Sequence, residues 1–93
     1  MFYTYVLYSP KDGRWYVGVT KNLRARMQDH AAGKVHFTKS KPSMLLAYYE
    51  ACVSKVDAYR RERYLKSGRG KRYVRQRLSG WLNDTWPVKL ERH

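Results

Sequence analysis

Phe2-Tyr3-Thr4-Tyr5-Val6-Leu7-Tyr8-Ser9, then Pro10-Lys11-Asp12-Gly13, then Arg14-Trp15-Tyr16-Val17-Gly18-Val19, sets the architecture. The first and last stretches are aromatic and β-branched, the composition of strands. Between them Pro10 presets one backbone dihedral and Gly13 supplies positive φ, so the chain turns. The three stretches together read as a hairpin. Gly18 is out of place in a strand, because glycine weakens strands and marks a bulge or a close approach by another group. Tyr3 and Tyr5 share one strand face by alternation, and Tyr16 stands on the next strand.

Working outward, Asn22 (or Thr20) caps a helix that runs to about Ala32, where Gly33 stops it. Leu23, Arg26, Met27 and His30 fall at i, i+3, i+4 and i+7 and share one helical face. Two of these four are polar. Residues 34–43 are a basic loop. Residues 44–50, MLLAYYE, read as a third strand, and the apolar run predicts a central strand buried on both faces. Ser54 caps a second helix, with Asp57 three residues on, and this helix reaches about Lys66. Ser67-Gly68-Arg69-Gly70 reads as a break. Residues 71–82 read as a third helix, with Val74, Leu78 and Leu82 on one face. From Asn83 the chain reads as an irregular tail. The order β-β-α-β-α-α predicts an α+β (mixed α/β) fold, a three-stranded sheet flanked by helices. One domain over 1–82 and a tail over 83–93 follow.

Composition narrows the function. The chain has 93 residues, enough for one domain, and 43% hydrophobic residues, enough for a small core. Lys plus Arg number 20 against 7 acids, a formal charge of +13. Such an excess repels itself and seeks a polyanion, nucleic acid first and an acidic membrane surface second. No apolar run approaches the ~20 residues of a spanning helix. The start, MFYTYVLYSP, has no basic n-region and no small-residue cleavage site, which predicts no secretory signal and a cytoplasmic protein. Cys52 stands alone, so no disulfide framework is expected. The histidines at 30, 36 and 93 assemble no zinc set.

Three features point to chemistry. Arg26 and His30, one turn apart and aimed at the sheet, make a convergent polar site. Arg offers a planar fork for phosphate oxygens, and His moves protons near neutral pH. The bland alternative is an Arg that lifts its head to water. Glu62 is the one acid between Arg60 and Arg77, among nine Lys or Arg. It shares a face with Ala58 and Leu65, so it tilts inward. A sheltered carboxylate needs a partner: a cation such as Lys66, four residues on, or a hard divalent metal. Third, a tyrosine phenol beside Gly18 could position or deprotonate water, if cations lower its pKa. The basic run, interleaved with Tyr64 and Tyr73, fits tracking of a phosphate backbone.

These residues resemble the GIY-YIG nuclease superfamily, in particular its small single-domain bacterial branch. That branch is similar to the nuclease module of excision-repair incision subunits and of structure-specific resolvases. The resemblance runs from Tyr3 to about Leu78. Tyr3-Thr4-Tyr5 and Tyr16-Val17-Gly18 match the two name-giving motifs. Thr20 to Arg26, followed by His30, is similar to the family's first helix, and Gly33 to Pro42, with Thr38, to its basic loop. Ala58-Tyr59-Arg60-Arg61-Glu62, followed by Leu65-Lys66, looks like its metal-binding helix. The leading Gly of the first motif is replaced by Tyr3, and the Lys that often follows the second is Val19.

The resemblance implies a Mg²⁺- or Mn²⁺-dependent endonuclease that hydrolyses phosphodiester bonds in DNA, branched and single-stranded forms included, with a repair or recombination role. Carried onto this chain, Glu62 binds the metal and Tyr16 or Tyr5 orients or activates water. Arg26 stabilises phosphoryl charge, and His30 assists proton transfer. His36, Lys39, Lys41, Lys66, Arg69, Lys71, Arg72 and Arg75 are the expected nucleic-acid contacts. DNA is the expected partner, with a protein partner or a homodimer for targeting. The alternative is a catalytically inactive module that binds DNA or RNA through the same basic surface.

Overall fold

The computed structural model describes residues 1–33 and 44–85. The elements are β1 (Phe2–Ser9), β2 (Arg14–Thr20), α1 (Leu23–Ala31), β3 (Leu45–Cys52), α2 (Lys55–Lys66), α3 (Gly68–Arg77) and α4 (Ser79–Thr85). The three strands form an antiparallel sheet in the order β2-β1-β3. The expected α+β architecture is what the chain adopts.

The hairpin closes as its turn residues dictate. Gly13 takes φ 70° and donates its N–H to the Ser9 carbonyl at 2.8 Å. Tyr5 then falls opposite Gly18, and Leu7 opposite Tyr16. Alternation sends Thr4 and Val6 to one face and Tyr3 and Tyr5 to the other. Val6 and Val17 meet Leu65 of α2 and Val74 of α3 in the main core, with Trp15, Tyr48, Tyr64, Tyr73 and Leu78 around them. Thr4 is buried on the same face, and its hydroxyl donates to the Ala58 carbonyl of α2 at 2.9 Å. On the other face α1 meets Tyr5 through Arg26 and His30.

The central strand is therefore β1, not β3. Residues 4–9 of β1 are all buried, while Leu45, Leu46 and Tyr49 of β3 are 40–52% exposed. Helices cover both faces of β1, and a strand lies on each side of it. The tyrosines of β1 concealed this, since each carries a polar tip on an apolar body. The apolar run of β3 instead decorates an edge.

Polar side chains tie that edge down. Arg61 of α2 grips Glu50 through Nε to Oε1 at 2.8 Å and Nη2 to Oε2 at 2.7 Å. Tyr48 donates to Glu50 at 2.9 Å and meets the Tyr73 hydroxyl at 3.0 Å. The Arg61 guanidinium also lies over the Tyr64 ring, 4.8 Å from its centroid. Paired hydrogen bonds from Arg61 hold the Glu50 carboxyl below its ordinary range, against the effect of burial.

The expected break at 67–70 is a helix start. Ser67 ends α2 and caps α3: its Oγ donates to the Tyr64 carbonyl and accepts from Gly70 N at 3.2 Å. The two glycines lie in the first turn of α3. Gly70 is required by packing, because a Cβ there would fall on the Tyr64 carbonyl and 2.5 Å from Leu65 Cα. The helix expected over 71–82 is divided between α3 and α4. The irregular tail expected from Asn83 does not begin there, since α4 reaches Thr85. No helix among the described residues is long and apolar enough to cross a membrane.

Two glycine substitutions should therefore have opposite signs. Gly70→Ala should lower stability by about 1–3 kcal/mol through the backbone collision. Gly80→Ala, with nothing within 4 Å of its new methyl group, should raise it by up to ~1 kcal/mol through helix propensity. Urea unfolding midpoints at constant slope decide both.

Candidate active site

The site begins at the pairing of Tyr5 with Gly18. A Cβ on residue 18 would stand 2.5 Å from the Tyr5 Oη and 2.6 Å from its Cζ. Glycine is present because the Tyr5 ring lies across it. This is the close approach that the misplaced glycine predicts.

The first helix brings two side chains to that phenol. Asn22 caps α1, with Oδ1 accepting from Ala25 N at 3.0 Å, and Gly33 follows the helix with φ 74°. Arg26 and His30, one turn apart, then point the same way. Arg26 Nε donates to the Tyr5 Oη at 3.2 Å, and the Tyr5 Oη lies 2.9 Å from His30 Nε2. The His30 ring meets the rings of Tyr5 and Tyr16 edge-on, at 5.6 and 5.4 Å between centroids. The Tyr5 and Tyr16 rings lie 6.4 Å apart. Arg26 also interacts with the Tyr16 hydroxyl.

The electrostatics give this chain of bonds a direction. Burial pushes the His30 pKa below its ordinary 6.5, the Arg26 charge pushes the same way, and Asp29 opposes them. His30 is thus a neutral imidazole at pH 7. Arg26 donates to the Tyr5 oxygen, and a neutral His30 accepts the phenolic proton at Nε2 in the tautomer that carries its own proton on Nδ1. Burial raises the Tyr5 pKa more than Arg26 lowers it. The sequence expectation that cations make such a phenol more acidic is not met at Tyr5. The Tyr5 phenol is therefore neutral and held in place, not a stored phenolate.

Glu62 stands on α2, and its charge is the weakest of those that act on Tyr5. It shares a face with Ala58 and Leu65, which are 0% and 1% exposed. Its side chain is 22% exposed, and its charge acts on Tyr5, raising the phenol's pKa. Lys66 Nζ lies 3.3 Å from Glu62 Oε2, so the i,i+4 pair forms. No group of three or more His, Cys, Asp or Glu that could hold a metal exists among the described residues.

Four of the expected residues thus converge from three elements: Tyr5 (β1), Tyr16 (β2), and Arg26 and His30 (α1). Glu62 (α2) is tied to them by the effect of its charge on Tyr5. Arg69, Lys71, Arg72 and Arg75 are exposed on α3, whose Gly70 and Val74 face inward. His36, Lys39 and Lys41 lie outside the described residues. Arg61 leaves the basic run, because Glu50 occupies it. Sequence reasoning missed the Glu50–Arg61–Tyr48–Tyr73 cluster. Its only signal was a lone acid in an apolar strand.

The family model described as the GIY-YIG catalytic domain matches residues 1–81. A UPF0213 protein of Pseudomonas aeruginosa is 41% identical over 58 residues, which cover 61% of this chain and 56% of that protein. One from Staphylococcus haemolyticus is 39% identical over 66 residues, 70% of this chain and 79% of its own length. One from Streptococcus pneumoniae is 35% identical over 65 residues, 69% and 65% respectively. The chain spans little more than half the length of the Pseudomonas relative. No solved structure matches.

The buried imidazole has a measurable consequence. Between the folded pKa of His30 and 6.5 the unfolded chain binds the proton more readily than the folded chain. Its contribution to stability is full above pH 6.5 and is lost as pH falls through the folded value. Thermal midpoints should fall over that window, and His30→Asn should flatten the slope there.

Proposed function

The chain belongs to the GIY-YIG catalytic-domain family, and on that premise we propose that it is a metal-dependent endonuclease acting on DNA. The observation that carries this reading is the Arg26–Tyr5–His30 chain of hydrogen bonds, with the Glu62 charge acting on the same phenol.

Phosphodiester hydrolysis needs an activated water, neutralised phosphoryl oxygens and a stabilised leaving oxygen. A water attacking phosphorus, held at the Tyr16 side of the cluster, gives up a proton that ends on the neutral His30 imidazole. The bond from phosphorus to the leaving oxygen breaks, and the electron pair goes with that oxygen. Tyr16 orients the water. Arg26 opposes the charge that builds on the phosphoryl oxygens. A neutral His30 is the form this relay requires.

Glu62 fits a hard divalent cation. Mg²⁺ keeps several waters and takes one or two carboxylates plus substrate phosphate, so a single sheltered carboxylate suffices. A Mg²⁺ or Mn²⁺ held there and by the scissile phosphate would neutralise phosphoryl oxygens and stabilise the leaving oxygen. Lys66 holds Glu62 meanwhile, and then becomes available to the phosphate backbone with Arg69, Lys71, Arg72 and Arg75. Branched or single-stranded DNA, in repair or recombination in the cytoplasm, is the setting this reading implies.

Cleavage of labelled duplex, single-stranded, flap, three-way and four-way DNA, and of RNA, with Mg²⁺ or Mn²⁺ tests the reading. Glu62→Gln should abolish cleavage and leave binding nearly intact. Arg26→Ala should lower kcat about a hundredfold with little change in KM. Binding with no cleavage of any substrate would leave an inactive nucleic-acid-binding module. Lys66→Met should tighten Mn²⁺ binding about two- to fivefold in an electron-spin-resonance titration, the scale of an exposed ion pair.

A further inference from the structure

Among the described residues, β3 is an edge protected only at Ala47, by a bulge, and at Glu50, by an inward-turned charge. Proteins blunt such edges with lysine, proline, bulges or a covering element. Leu45–Cys52 contains neither lysine nor proline, and its one charge, Glu50, is turned inward onto Arg61. A single irregularity, at Ala47, leaves Tyr48–Cys52 in continuous register. Among the described residues no strand pairs with the outer side of β3. Leu45, Leu46 and Tyr49 are 41%, 40% and 52% exposed beside it.

The edge borders a groove. Tyr3, Met27, Leu46 and Tyr49 line a cavity of about 590 Å³, together with the cations Lys21 and Arg24. The Tyr3 and Tyr49 rings meet edge-on at 6.0 Å. This groove adjoins the Tyr5 cluster, since Leu23 and Met27 of its lining share the α1 face of Arg26 and His30 and Tyr49 pairs with Tyr5.

We propose that this edge and groove dock an extended acidic segment of a partner protein, which adds a strand to β3. Its backbone would pair with the free edge, its apolar side chains would enter the groove, and its carboxylates would meet Lys21 and Arg24. A nucleic acid has no strand backbone to offer the edge. A second copy would bring another net +13 toward the same cations. The proposal stands apart from the cleavage reading and uses none of its residues.

The test uses the full chain and a fluorescein-labelled peptide of strand length that alternates valine with glutamate. A valine–lysine peptide and an oligothymidylate are the controls. Anisotropy should show binding of the glutamate peptide alone, and hydrogen exchange should show new protection at the amides of Leu45–Cys52. Arg24→Glu and, separately, Tyr49→Asp should each weaken binding about tenfold, with DNA cleavage unchanged in Arg24→Glu. Equal binding of the lysine peptide, or protection elsewhere, would overturn the proposal. So would protection of β3 by self-association without peptide, or by the oligothymidylate. Absence of glutamate-peptide binding would also overturn it, whether or not the chain cuts DNA.

Discussion

The site depends on a ring lying over a bare backbone. Tyr5 crosses Gly18 because nothing larger than hydrogen fits between them, and this fixes where the phenolic oxygen sits. Arg26 and His30 then have one oxygen to meet. A hydroxyl held between a guanidinium donor and an imidazole has little rotational freedom left. On the proposed reading this fixes the phenol before any substrate arrives, the kind of preorganisation that catalysis rewards. The hairpin register, the α1 cap and the burial of β1 all serve to keep that ring in place.

Scarcity of acid shapes the electrostatics. Seven carboxylate side chains stand among twenty Lys and Arg. Asp12, Glu50, Asp57 and Glu62 each lie within ion-pair distance of a neighbouring cation. Two of these pairs differ in kind. Glu50 is gripped bidentately by Arg61 and receives a tyrosine hydroxyl as well, so it is spent on holding β3 to α2. Glu62 has one flexible lysine at 3.3 Å, an arrangement that a small cation can displace. Bracing therefore falls to Glu50 and leaves Glu62 the more readily released of the two, although both are sheltered glutamates with cationic partners.

Local signals were the legible ones. Gly13, Asn22, Gly33 and Ser54 each act on the backbone within a few residues, and the elements they bound lie close to where the sequence puts them. The shared face of Arg26 and His30, and the tilt of Glu62, follow from helical spacing alone. Long-range facts were not legible. Whether β1 or β3 is central depends on which strand the helices cover, and an apolar run is the same in both cases. Gly68 and Gly70 look like a break because glycine breaks helices in isolation, whereas Gly70 is there to let α3 pass close to the end of α2. The Glu50–Arg61 grip joins residues eleven apart on different elements, and no spacing rule announces it.

The contact between Tyr5 and Gly18 also constrains how this chain can drift. Neither residue can change in ordinary steps while the other stays. A side chain at 18 would displace the ring, and a smaller residue at 5 would remove the partner of Arg26 and His30 before 18 gained any freedom. The two positions form a single hereditary unit on adjacent strands, so descendants that lose one should lose both together.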